Sequence, residues 1–181
     1  MELWDVYDSN GNKTGRTKNR NELPEKGEYR LISSLWIINK EGKALIQKRS
    51  LTKKVNPGQW NITGGSVVSG ETSEEACVRE VFEEIGLSVN QSDLRLLTRK
   101  IANSGEYGLL KGSIFDDYII TVKDFDISNT VIQPDEVSEL KWATLEEIKE
   151  IYNTGELMFN DIDDELAKVA DYIKEETKWV N

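Results

Sequence analysis

Glu80, Glu83 and Glu84 stand at spacings that bring three carboxylates to one side of any helix containing them. At about 100° per residue, Glu84 lies about +40° and Glu83 about −60° from Glu80, so the three share an arc of about 100°. Like charges this close repel by roughly 0.2–0.5 kcal/mol per pair on an exposed helix. A divalent cation turns that repulsion into binding, although the same triple also describes an ordinary solvated acidic face. The chain has no histidine, which removes the commonest general base near neutral pH and the commonest transition-metal ligand. Any chemistry must therefore use carboxylates, and carboxylate sites prefer hard cations such as magnesium, manganese or calcium.

The element carrying these acids reads as a helix over residues 72–85. Thr72 and Glu75 have capping-box spacing, and Gly86 supplies a left-handed stop. Val78, Val81, Phe82 and Ile85 fall between about 100° and 200° on the same wheel, a separate apolar face expected to dock on a sheet. Ala76 shares the acidic face and leaves room above it. Strand-like runs occur at 3–7, 14–17, 31–38, 44–47, 60–67, 94–102 and 115–122, with a short strand ending at Trp142. Residues 18–29 read as an exposed linking loop, and two further helices are expected at 144–153 and 162–177. Mixed strands with interspersed helices predict an α/β sandwich around one sheet.

Around the helix, Gly65, Glu71, Arg79, Glu80, Val81, Glu83, Glu84, Gly86 and Leu87 satisfy the pattern G-x5-E-x7-R-E-U-x-E-E-x-G-U, where U is a bulky aliphatic residue. Chance agreement at all these positions is on the order of 10⁻⁹ per starting point. The pattern resembles the Nudix box and departs from it at no defined position. That resemblance implies an α/β/α sandwich around a mixed sheet and a magnesium- or manganese-dependent hydrolase of diphosphate-linked small molecules. It further implies that Glu80, Glu83 and Glu84 are metal ligands, joined by the Gly64 carbonyl. Glu71 and Arg79 would orient the helix and the loop at Gly65.

Outside the box, Lys48 to Lys54 forms a basic cluster in an acidic chain, followed by Pro57, Gly58 and Trp60. It is either a diphosphate-neutralising loop or a solvated one. This stretch is similar to that of isopentenyl-diphosphate isomerases, as are Asp8 to Gly11, Thr14 with Gly15, Leu35 with Trp36, and Asp135 to Val137 with Trp142. The similarity implies that Arg49 and Lys53 contact a diphosphate. The positions matching the isomerase's catalytic cysteine and its metal-binding histidines, however, are Gly64, Ser66 and Arg30, and typical isomerases lack the intact carboxylate triple. Cys77 lies within the helix and reads as a structural thiol. Glu136, six residues before Trp142, resembles in placement an additional catalytic acid of some Nudix triphosphate hydrolases, with Glu106, Asp116 and Asp117 as rivals. Trp36, Trp60, Tyr107 and Tyr118 either stack a base or pack in the core.

At 181 residues the chain is expected to form a single Nudix domain, with residues 1–29 as a strand-and-turn extension. Its 23 basic and 33 acidic residues give a formal charge of −10, which argues against binding nucleic-acid polymers. One cysteine excludes an internal disulfide framework, and no apolar run spans a bilayer. These features suggest a cytoplasmic protein, with homodimerisation open. The leading reading is a nucleotide pyrophosphohydrolase. The alternatives are a non-catalytic Nudix module that senses a phosphorylated ligand and, less favoured, the isomerase.

Overall fold

The computed structural model describes residues 2–102, 112–159 and 162–178, apart from the side chains of 177 and 178. Two strands, β1 (Leu3–Tyr7) and β2 (Lys13–Asn19), form an antiparallel hairpin. Its turn is closed by the Asp8 carboxylate, which accepts from the Asn10 and Asn12 amides at 2.8 and 2.9 Å.

The main sheet contains β3 (Arg30–Asn39), β4 (Ala44–Arg49), β5 (Trp60–Asn61), β6 (Thr63–Ser66), β7 (Arg95–Ala102), β8 (Ser113–Val122) and β9 (Val137–Ala143). Its path runs β5-β4-β3-β8-β7, with β6 paired to β3 and β9 to β4. β3 and β8 run parallel, whereas β3 pairs antiparallel with β4 and β6, so the sheet is mixed. β3 is apolar along both faces, as a strand covered on both sides must be. Leu35 and Ile37 face helix α1 (Ser73–Ile85) together with Cys77, Val81 and Ile85. Trp36 and Ile38 face α2 (Leu145–Asn153) and α3 (Asp163–Lys178) together with Ile148, Leu166 and Val169. The expected α/β/α sandwich is what forms.

Two expectations are corrected. The stretch at 18–29 is not simply an exposed loop: its first residues extend β2, and Glu28 and Tyr29 are buried. Glu28 pairs with Arg16 at 2.6 Å and Lys18 at 2.5 Å, and Tyr29 bridges to Tyr7 through reciprocal backbone bonds of 2.8 and 2.9 Å. These contacts, with Tyr7 and Tyr29 packed beside Leu31, Val67, Ala76 and Ile114, fasten the hairpin to the base of α1 and the sheet.

The second correction concerns α1. Its capping box at Thr72 and Glu75 and its left-handed Gly86 (φ 69°) form as the sequence dictates. Its docking face, however, is rotated from the expected one. Ser73, Ala76, Cys77, Val81, Glu84 and Ile85 are buried, while Phe82 is 58% exposed. Of the expected face of Val78, Val81, Phe82 and Ile85, Val81 and Ile85 are buried, but packing centres on Cys77 and Val81 and takes Glu84 inside. Ile85→Ala is accordingly expected to cost about 2–5 kcal/mol in urea denaturation, and Phe82→Ala no more than about 0.5 kcal/mol. Equal costs would contradict this orientation.

Candidate active site

Because β6 is built of Thr63, Gly64, Gly65 and Ser66, its backbone lies directly against the buried side of α1. A Cβ on Gly65 would stand 2.3 Å from the Glu80 carboxyl carbon and 2.5 Å from both its oxygens. One on Gly64 would stand 2.4 Å from the Ser33 carbonyl oxygen. Gly64 is therefore required by close approach to the β3 backbone, while a side chain at Gly65 would displace the Glu80 carboxylate; neither has an unusual backbone angle.

Glu84 is 4% exposed, and one of its oxygens accepts from Gln47 Nε2 at 2.9 Å and from the Gly64 amide at 3.2 Å. Burial pushes its pKa up to about 8, with the negative charges of Glu80 and Glu136 adding to the effect. Burial likewise raises Glu80, while Arg79 opposes the shift. Glu83 is half-exposed and pairs with Arg79 at 3.3 Å. Arg79 organises the group: its Nε and Nη2 grip Glu71 at 2.7 and 2.9 Å, Nη2 donates to the Ser66 carbonyl at 3.2 Å, and Nη1 donates to Glu80 at 2.8 Å. The clamp holds Glu71 below the usual carboxylate range, chiefly through the Arg79 hydrogen bonds. It ties the loop after β6 to the helix.

These acids border a cavity of about 710 Å³. Arg49, Lys53, Lys54 and Glu136 form another part of its wall, and Gly64, Arg79, Glu80, Glu83 and Glu84 also line it. The structure therefore collects Glu80, Glu83 and Glu84, the two basic residues and Glu136 around one space. Lys53 and Glu136 are bound to each other, with Nζ 2.6 Å from the nearer carboxylate oxygen. Arg49 is braced by Nε donation to the Val55 carbonyl at 3.2 Å. Lys48 points elsewhere, 5.4 Å above the Trp60 ring. At Gly64, it is the amide N–H that meets Glu84.

The rivals separate cleanly. Asp116 is fully buried in an ion pair with Arg99, at 2.5 and 2.6 Å, and does not line the cavity; Asp117 does. Glu106 and Tyr107 lie outside the described residues. Trp36, Trp60 and Tyr118 are buried, which favours the packing reading. Cys77 is fully buried, and burial pushes its thiol up to about 12, as befits a structural residue. Sequence reasoning missed Gln47, whose side chain holds Glu84. Its one signal was a polar residue at the end of the otherwise apolar run Ala44 to Ile46. It also missed Phe115, Phe159 and Glu165 as cavity walls, since they come from β8 and the segments around α3.

Residues 28–161 match the NUDIX domain model. The chain belongs to the Nudix family. An uncharacterized Nudix hydrolase of Listeria monocytogenes is 36% identical over 159 residues, covering 87% of this chain and 89% of that protein. An isopentenyl-diphosphate Delta-isomerase of Citrobacter koseri is 27% identical over 131 residues, 72% of this chain and 70% of its own length. A crystal structure from Deinococcus radiodurans superposes with a TM-score of 0.72 at 22% identity, over 93% of this chain and 99% of that one, and so shares the fold. The Nudix protein described here is a hydrolase acting on phosphoanhydrides. Nudix hydrolases act on small molecules and generally use divalent cations. No helix among the described residues is long and apolar enough to cross a membrane.

The donor types fit a hard cation. Glu84 is a buried acid whose polar partners are the neutral Gln47 amide and Gly64 N–H, and Glu80 lies one turn away. Among the described residues no group of three acids converges in metal-holding geometry, and Arg79 reaches both Glu80 and Glu83. The close approach at Gly65 has a direct test. Gly65→Ala should destabilise the metal-free protein by about 1–3 kcal/mol in urea. Adding Glu80→Ala should recover part of that loss, because the side chain in conflict is gone. Strictly additive losses would show that the two do not meet.

Proposed function

We propose that this Nudix hydrolase cleaves a phosphoanhydride bond in a nucleoside diphosphate linked to another group, with Mg²⁺ or Mn²⁺ as its cation. The observation that carries this reading is the retained carboxylate set beside the cavity, while Gly64, Ser66 and Arg30 occupy the wall where an isomerase-like sequence would bring its thiol and imidazoles. The scaffold is shared with the isomerases; the groups needed to protonate and deprotonate carbon are not.

Glu80, Glu83 and Glu84 would hold the cation, with the Gly64 carbonyl as a further donor. When bound, the cation would neutralise diphosphate charge and acidify a water molecule. Arg49 and Lys53 offset charge on the leaving phosphate. Glu136 accepts the proton of the attacking water once Lys53 turns from it to the substrate, with a helix glutamate as the other acceptor. The water oxygen forms the new bond to phosphorus, and the bridging P–O bond breaks toward the leaving group. Arg79 and Glu71 keep the helix acids and the glycine loop in register. A cytoplasmic setting suits a substrate of this kind.

A panel of nucleotide sugars, dinucleoside polyphosphates and nucleoside triphosphates, each supplied with Mg²⁺ or Mn²⁺ and with products identified, tests the reaction. Turnover of a diphosphate-linked nucleotide is expected. Glu84→Gln should lower kcat/KM by about 10²-fold or more. Glu136→Gln should lower kcat by about 10²–10⁴-fold. Tight binding without turnover in the presence of metal would instead favour a sensor, and isomerised prenyl diphosphate would overturn the ranking.

A further inference from the structure

The cavity continues past the acids of α1 onto the opposite face of the sheet. There its floor is made by adjacent parallel strands, with Ile32 beside Phe115 and Ser34 beside Asp117. Met158, Phe159 and Glu165 form the facing wall. We infer that this deep end is a base-reading pocket, in which Asp117 and Glu165 accept hydrogen bonds from the amino-bearing edge of the substrate's nucleobase while Phe115 and Phe159 flank its ring.

Asp117 is 5% exposed and Glu165 is 1% exposed, yet both border the cavity. Two acids buried together are costly, and a core needs neither of them. Glu165 is rigidly held: Lys100 Nζ lies 2.7 Å from it, and the Trp36 indole N–H donates to it at 3.3 Å. Trp36 itself packs against Phe159, ring centroids 5.9 Å apart. Burial, followed by the negative charge of neighbouring Glu165, holds the Asp117 pKa well above the usual carboxylate range. Neither touches the acids of α1, and the hydrolytic step uses neither.

What remains is a strongly accepting edge at the end of a slot walled by rings and aliphatic chains. A phosphate is repelled there, and a sugar would need donors and acceptors interleaved around it rather than two aromatic walls. A flat heteroaromatic ring with N–H groups on its edge matches both features. A site whose acceptors face an N–H favours the ring that supplies it over an analogue that forgoes those bonds.

The inference rests on the nucleoside-diphosphate reading, and two arms separate them. In the first, wild type is assayed on pairs differing only in one exocyclic amine: GDP-mannose against IDP-mannose, and ADP-ribose against its analogue lacking the 6-amino group. At least one amino-bearing member is expected to be preferred by about tenfold or more in kcat/KM, carried by KM. Asp117→Leu, which carries no acceptor, verified as folded by circular dichroism, should bring that ratio to within about twofold of unity. In the second arm, guanosine, inosine, adenosine and purine riboside are titrated without metal and followed by tryptophan fluorescence, since Trp36 bonds to Glu165. The same preference is expected there. A preference in the second arm with no turnover in the first would overturn the proposed reaction and leave the pocket standing. No base preference in either arm, or a preference that survives Asp117→Leu, overturns the pocket.

Discussion

The close approach of the β6 backbone to the buried side of α1 is the constraint on which the rest of this structure depends. Without a side chain at Gly64 or Gly65, the strand packs on β3 and leaves room for the Glu80 carboxylate on its other side. Glu84 then falls inside the docking face, among residues that bury Cys77, Val81 and Ile85 against Leu35 and Ile37. A helix that merely stacked its apolar stripe on the sheet would have turned these acids outward. Here hydrophobic packing holds carboxylates where water cannot fully solvate them, at a cost in stability that metal-free protein must bear.

The surrounding polar contacts follow from that constraint. Gln47 is drawn from β4 to satisfy Glu84, and Arg79 is committed to Glu71, Ser66, Glu80 and Glu83 at once. Such a multiply bonded guanidinium fixes the loop after β6 more firmly than a surface ion pair would, because bidentate charge-assisted bonds leave it little freedom. Lys53 and Glu136, from segments far apart in the chain, close the opposite wall by pairing with each other. The segment following the N-terminal hairpin also takes part: Arg20, Asn21 and Leu23 line the cavity, although the family match begins only at residue 28.

Much of this was legible in the sequence, and the limits have physical causes. The α1 boundaries follow from local chemistry, Thr72 with Glu75 at one end and Gly86 at the other, so the helix could be read directly. The gathering of Arg49, Lys53 and Glu136 with the helix acids was legible through family resemblance, because spacing alone does not bring residues 49 and 136 together. The rotation of the helix was not legible. A helical wheel counts apolar residues and therefore placed Val78, Val81, Phe82 and Ile85 on one face, whereas Gly65, which would place a Cβ against the Glu80 carboxylate, sets the side on which β6 and α1 meet. Asp117 was indistinguishable from Asp116 in sequence, yet strand alternation sends one into the cavity and the other to Arg99. Glu165 gave no signal, since its role depends on how α3 crosses a sheet formed by residues far away.

The Nudix fold and isomerase-like flanks are thus compatible with hydrolysis, because the reaction is set by a few side chains on a shared frame. The central claim is that the buried Glu84 and its neighbours on α1 bind a hard divalent ion. Manganese titration followed by electron paramagnetic resonance tests it most directly, with no substrate required. Wild type should bind Mn²⁺, and Glu84→Gln should weaken that binding by about tenfold or more. Equal affinity in the two proteins, or no binding by wild type, would contradict the account.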